Sequence, residues 1–185
     1  MNKIYISPEI AQERIDLIKE QEKDSPSYTD LLFGKNYRYA TWCGITLAVF
    51  NQLTGINIIV FYSNMLFRGL DISTNVITCT IGVVGLLSVI AGMILMVWLP
   101  RKVQLITFNL LLAIDLFALT EFWFQRNSIM ILVTVILFLL FFGLSTGTII
   151  WIYLAYTMHE KSLGIAVCVI WALSVIISLT TPILV

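Results

Sequence analysis

Charged residues are scarce in this chain of 185 residues: Asp, Glu, Lys and Arg together make up only 12% of it, and 59% is hydrophobic. Soluble globular domains carry roughly a quarter charged residues and about half or fewer apolar ones. A chain so poor in charge lacks the polar surface that a water-soluble domain needs. The composition therefore favours a membrane protein.

Patterns typical of metal sites and catalytic centres are also lacking. The single histidine and the three cysteines form no CxxC pair and no cluster with zinc spacing. The chain has no HExxH motif, no paired acids within a span and no Ser/His pair at a common depth, so we expect no enzyme activity, no metal and no cofactor. Acidic and basic residues are equal in number, 11 of each, and predict no nucleic-acid partner.

What the sequence does contain is a series of long runs with almost no charge. About 20 apolar residues cross a hydrocarbon core of roughly 30 Å, and each run is long enough for one helix. The runs lack the alternation of barrel strands, so only helices can satisfy their backbones in lipid. The prediction is an all-α membrane protein with five transmembrane helices. The predicted spans are residues 42–66, 76–99, 104–124, 130–156 and 163–184.

A polar segment, residues 1–40, precedes the transmembrane bundle, residues 41–185. Ser7-Pro8 reads as an N-cap with proline at the first helical position, which predicts a short surface helix. Lys and Arg are concentrated in this segment and in the loops on its side of the membrane, which places that side in the cytoplasm. The end of the chain at Val185 is then predicted to lie outside.

The interior of the first span contains groups that are expensive in hydrocarbon. Its sequence NQLTGINIIVFYS carries Asn51, Gln52 and Asn57 around Thr54-Gly55. An amide without a partner costs several kcal/mol in apolar surroundings, so these side chains should face other helices or a wet cavity. Gly55 weakens the helix, and we expect a break at this pair. Polar contacts between helices and a broken helix along a solute path are the two interpretations.

The order of these residues resembles the seventh-helix signature of the sugar porter family of the major facilitator superfamily, Q-Q-x-[ST]-G-x-N-x-x-x-[FY]-Y. The matching residues are Gln52, Thr54, Gly55, Asn57, Phe61 and Tyr62, with Asn51 in place of Gln. Further on, GLSTGTIIWIYLA resembles the tenth helix at Trp151 and Ala155. The resemblance runs from the seventh to the eleventh helix. It implies part of the C-terminal six-helix bundle of such a transporter.

The resemblance also implies roles for single residues. The residues implied to contact a hexose-like sugar are Gln52, Asn57, Trp151 and Asn51. The implied outer gate is Tyr62 with Phe61, and Arg101-Lys102 corresponds to the cytoplasmic loop before the ninth helix. An amide carries a donor and an acceptor side by side, which suits neighbouring hydroxyls of a polyol.

The chain departs from the family pattern at several of these positions. Gly85 stands where the family has a sugar-binding Asn in the eighth helix, and Ala172 stands near the position of the Asn of the eleventh helix. Tyr156 replaces an acid that pairs with loop arginines, so this cytoplasmic latch should be weak. The prolines of the tenth helix are absent, which predicts a stiffer helix.

Two functions remain open. Helices one to six and twelve have no counterpart here, although a transport path forms between two six-helix halves. The leading hypothesis is a partial or divergent transporter of hexose-like sugars that works by alternating access. The alternative is a non-transporting remnant or regulatory half that associates with a full-length transporter. The expected partners are a small-molecule sugar, the lipid bilayer, and the missing N-terminal half or a full-length transporter.

Asp115 is the one acid in the middle of a predicted span, because Glu121 of the same span lies near its end. Acids within a membrane are functional candidates by default, and a proton-coupling role is one interpretation. The other is an acid that reaches interfacial water or pairs with a neighbour.

Overall fold

The structure, a computed structural model, describes residues 10, 12–16, 26–66 and 74–184. The described part is helical and contains no strand. Its helices are α1 (Tyr28–Phe33), α2 (Arg38–Leu53), α3 (Ile56–Leu66), α4 (Thr74–Trp98), α5 (Arg101–Phe124), α6 (Ser128–Leu144), α7 (Thr146–Thr157) and α8 (Glu160–Leu184). The predicted N-terminal surface helix lies mostly outside the described residues.

The described helices include several that are long and apolar enough to cross a membrane. Four qualify on their own: 75–98, 101–124, 128–157 and 160–183. The bent pair of α2 and α3 adds a fifth when it is counted as one span. These helices confirm the predicted class, an all-α membrane protein. The reason is that charge-free runs of this length leave the backbone no other way to satisfy its hydrogen bonds in lipid.

Two apolar clusters hold the bundle together. In the first, α6 packs against both α4 and α5, with Phe138 completely buried beside Ile77 and Leu112. In the second, α2 packs against α7 and α8 through Ala48 and Leu154. The outward-facing side chains of the bundle are largely apolar, which matches a surface bathed in lipid tails rather than water.

Small residues bring α4 and α6 into close contact. A Cβ on Gly143 would lie 2.1 Å from the Ser88 hydroxyl, and a Cβ on Gly92 would lie 2.6 Å from the Gly143 carbonyl. Both glycines are therefore required by space, because any side chain would force the two helices apart.

The helix that resembles the family's tenth is interrupted at Ser145, which has φ −115° and ψ −100°. The interruption satisfies its own polar groups: the Ser145 hydroxyl donates to the Phe141 carbonyl at 2.7 Å, and the Thr148 hydroxyl donates to the Gly143 carbonyl at 2.6 Å. Hydroxyls can thus stabilise a break without proline. The absence of prolines does not leave this helix continuous.

Candidate functional site

The first span is broken between α2 and α3, with a bend of 41°. Gly55 lies at the break with φ +83°, and no atom lies within 4 Å of where its Cβ would be. Glycine is therefore required here by backbone conformation and not by space. The Thr54 hydroxyl donates to the Asn51 carbonyl at 2.7 Å, which satisfies one of the acceptors at the end of α2.

Three amides surround this break. Asn51 and Gln52 are 6% and 5% exposed, and Asn57 is half-buried. The Asn57 side-chain amide donates to the Gln52 side-chain oxygen and, at 3.0 Å, to the Ser174 hydroxyl of α8. Both N–H donors of Asn57 are thereby used. Gln52 and Asn57 thus form a polar cluster, the amide cluster, that joins the two sides of the break to α8.

One turn beyond Asn57, Tyr62 ties α3 to α8 a second time. Its hydroxyl donates to the Ser178 carbonyl, and its own backbone, with φ −112° and ψ 15°, departs from helical geometry. Phe61 beside it is 57% exposed. The two residues predicted as a gate therefore differ: Tyr62 is anchored to α8, and Phe61 is free to contact a ligand or lipid.

An open groove of about 500 Å³ lies between α3 and α8. Its lining residues are Phe61, Tyr62, Trp171, Ser174, Val175, Ser178 and Leu179. Ser174 links the groove to the amide cluster, because it lines the groove and also accepts the hydrogen bond from Asn57. The groove combines aromatic faces with hydroxyls, which is a surface suited to the C–H and O–H groups of a sugar. We call it the α3–α8 groove.

Other residues predicted from the sequence lie apart from this groove. Trp151 is 42% exposed on α7 and is not among the groove residues. Arg101 and Lys102 are exposed at the start of α5. The Arg101 guanidinium lies 6.0 Å from the centre of the Tyr156 ring, within the range of a cation–π contact. Tyr156 thus offers Arg101 a partner where the family has an acid.

Sequence reasoning missed Ser174 and Ser178. It examined Ala172 in the same helix, which is exposed and lines a different groove, beside Lys161. The two serines are spaced four residues apart, so they share one face of α8. That spacing was a readable signal, although nothing in the sequence says which helix the face meets.

Asp115 is buried on α5, with 5% of its surface exposed. Its Oδ2 atom has no hydrogen-bond partner among the described residues. In the described part of the bundle, no hydrogen bond to this oxygen offsets the burial of the carboxyl group. The helix packed most closely against it, α6, carries no ionisable residue.

Comparison with known proteins gives a family match over almost the whole chain. The family model described as "Sugar (and other) transporter" matches residues 5–185. The D-xylose-proton symporter of Escherichia coli (strain K12) is 29% identical over 147 residues, which cover 75% of this chain and 30% of the symporter. The arabinose-proton symporter of Bacillus subtilis (strain 168) is 31% identical over 149 residues, covering 76% and 32%.

An insect relative and a solved structure agree with this match. The facilitated trehalose transporter Tret1 of Bombyx mori is 31% identical over 145 residues, covering 73% of this chain and 29% of Tret1. A crystal structure of a D-xylose-proton symporter superposes with a TM-score of 0.71 at 26% identity, covering 98% of this chain and 42% of the symporter. The chain spans about a third of the length of these curated relatives.

Proposed function

Because the chain belongs to the sugar (and other) transporter family, we propose that it supplies the sugar-binding part of a membrane transporter. The family match confirms the resemblance predicted from the seventh-helix motif, and the matched relatives are transporters rather than enzymes. The chain is an integral multi-pass membrane protein. We further propose that its substrates are hexose-like sugars and that it is a partial or divergent carrier of them.

The observation that carries the proposal is the amide cluster at the broken helix. Buried amides are costly in a bilayer and are kept where they bind something. Gln52 and Asn57 meet at a break with a 41° bend, and Ser174 connects them to the aromatic α3–α8 groove. A sugar hydroxyl can replace either hydrogen-bond partner of Asn57, because a hydroxyl donates and accepts hydrogen bonds as that of Ser174 does.

A second function is supported by the same contacts. The donors of Asn57 already have partners within the chain, as they would if the cluster only held α3 against α8. These contacts support the alternative function, a regulatory half that associates with a full-length transporter. In that case the amides stabilise the bundle and bind no solute.

Alternating access requires a second bundle against which this one moves. We propose that the N-terminal side faces the cytoplasm and the end of α8 the outside, following the distribution of Lys and Arg. The proposed partners are accordingly a small sugar, the bilayer and a further six-helix half.

Binding measurements separate the two functions. The chain is placed in lipid nanodiscs and titrated with D-xylose, L-arabinose, D-glucose and trehalose by a radioligand assay. We expect Gln52→Ala to weaken binding about 5- to 150-fold, because it leaves polar groups of the buried site unpaired at a cost of roughly 1–3 kcal/mol.

The matched control is Asn75→Ala, which removes an exposed amide at the start of α4 and should leave the affinity unchanged. Equal affinity of Gln52→Ala and the unaltered chain would exclude the amide as a sugar contact. Absence of binding for all four sugars would favour the regulatory function.

A further inference from the structure

A second cavity, of about 280 Å³, borders the helix break. Its walls include Ile58 of α3 and Leu119 and Trp123 of α5, and its floor is Ile131 and Val135 of α6. The cavity exists because α3 and α5 each pack against α6 and have at most marginal contact with each other. It is therefore a slot between two helices over a third. We call it the α3–α5 slot.

The slot offers no free hydroxyl donor. The two threonines that border it are bonded to their own helices: Thr54 donates to the Asn51 carbonyl at 2.7 Å, and Thr120 donates to the Leu116 carbonyl at 2.9 Å. Its volume lies just below the roughly 300–1,000 Å³ of pockets for drug-sized ligands. An occupant should therefore be apolar and narrow, as one segment of a lipid acyl chain is.

A cation lies at the end of the helix that forms one wall of the slot. Arg126 follows Trp123 in the turn between α5 and α6, is exposed, and has φ +52°. It is the only Lys or Arg between residues 103 and 160. No salt bridge to Arg126 occurs within the part of the chain that the structure describes. The nearby acid, Glu121, accepts a hydrogen bond from the Gln125 amide at 2.9 Å.

The apolar slot, Trp123 and Arg126 follow one another along α5 and the turn after it in the order of the acyl chain, the interface and the headgroup of a phospholipid. Tryptophan side chains concentrate at the level of lipid headgroups, so the turn that follows Trp123 places Arg126 at the depth of the phosphates. A guanidinium binds phosphate oxygens through paired N–H donors. The apolar walls of the α3–α5 slot lie next to the positively charged Arg126, whose charge is opposite to that of an anionic headgroup.

We propose that the α3–α5 slot seats an acyl chain of an anionic phospholipid whose phosphate binds Arg126. The slot borders Thr54 and Gly55, and the space beside Gly55 is open, so the seated chain lies against the break in the first span. The lipid would thereby favour one bend of the broken helix. This inference does not depend on sugar binding.

Quenching of tryptophan emission tests the proposal. The chain is placed in phosphatidylcholine nanodiscs, and phosphatidylglycerol or phosphatidylcholine with brominated acyl chains is added. The emission of Trp123 is obtained as the difference in emission between the unaltered chain and its Trp123→Phe variant. We expect brominated phosphatidylglycerol to quench Trp123 at about fivefold lower mole fraction, the effect of roughly one cation near a membrane surface. Equal quenching by both lipids would overturn the proposal.

Two pairs of variants separate the headgroup contact from the acyl-chain contact. Arg126→Gln should abolish the preference for phosphatidylglycerol, and Lys102→Gln, which removes an exposed cation at the other end of α5, should keep it. Ile58→Phe fills the slot and should reduce quenching of Trp123 by both lipids, whereas Val60→Phe, on the exposed face of α3, should not. A preference that survives Arg126→Gln, or full quenching in Ile58→Phe, would contradict the assignment.

Discussion

The break in the first span depends on the backbone of one residue, and Gly55→Ala tests this dependence. Gly55 has φ +83°, and no atom lies within 4 Å of its missing Cβ. Alanine at this position would therefore not clash with neighbouring atoms. Gly55→Ala should lower the free energy of unfolding only by the cost of holding an L-residue in a left-handed conformation, roughly 1–2 kcal/mol. Gly55→Asn should cost less, because asparagine tolerates that region better than alanine does.

Gly82→Ala provides the matched control. Gly82 also has open space at its missing Cβ, but it lies within α4 and has no positive φ. Alanine in a helix interior stabilises by roughly 0.8–1 kcal/mol relative to glycine. The two variants should therefore differ by roughly 2–3 kcal/mol, with Gly55→Ala the less stable.

Thermal unfolding followed by circular dichroism in detergent measures this difference. For a chain of this size, 1 kcal/mol corresponds to roughly 2–4 °C in the unfolding midpoint, so the midpoints should differ by roughly 4–12 °C. Equal midpoints, or a higher midpoint for Gly55→Ala, would show that the first span does not need the left-handed residue and would refute the reasoning.

Three further predictions concern buried polar groups and orientation. Gln104→Leu should lower the free energy of unfolding by roughly 1–3 kcal/mol, because the Gln104 amide donates to the Gly92 and Leu144 carbonyls at 3.1 and 2.8 Å. Removing these two donors leaves both carbonyls unpaired, which outweighs the relief from removing the buried Gln104 Oε1 atom, an oxygen without a partner in the described structure. Gln125→Leu, on the surface, is the control, and equal effects of the two variants in chemical unfolding would contradict the role of Gln104. Asp115→Leu should raise the unfolding midpoint, since the buried carboxyl has an oxygen without a partner in the described structure; a lower midpoint would reveal a partner. In a chain without its three cysteines, Arg126→Cys should react from the outside with a membrane-impermeant maleimide and Lys102→Cys should not, and the reverse result would invert the proposed topology.

The fold class could be predicted because a helix is the structure in which a charge-free run of about 20 residues satisfies its backbone hydrogen bonds in lipid. The family could be predicted because the motif around Gly55 fixes many residue types in one order. The length of a charge-free run and the order of residues in a motif both lie within one short stretch of the chain, so a single sequence contains them.

The contacts between helices could not be predicted in the same way. The hydrogen bond from Asn57 to Ser174 joins residues 117 positions apart, and no spacing within either helix indicates it. The interruption at Ser145 was missed for a different reason: the expectation relied on proline, whereas hydroxyls of Ser145 and Thr148 satisfy the carbonyls that an interruption frees. The missing partner of Asp115 likewise depends on which face of α6 meets α5.

Trp171 offers the most direct measurement of whether sugar enters the α3–α8 groove, since it lines that groove. Its emission, taken as the difference between the chain and Trp171→Phe, is followed during titration with the sugar that binds best. We predict a saturable change in emission that requires roughly 5- to 150-fold more sugar in Gln52→Ala than in the unaltered chain. A saturable sugar response that is unaltered in Trp171→Phe, or that has the same midpoint in Gln52→Ala, would place the sugar elsewhere and contradict this prediction.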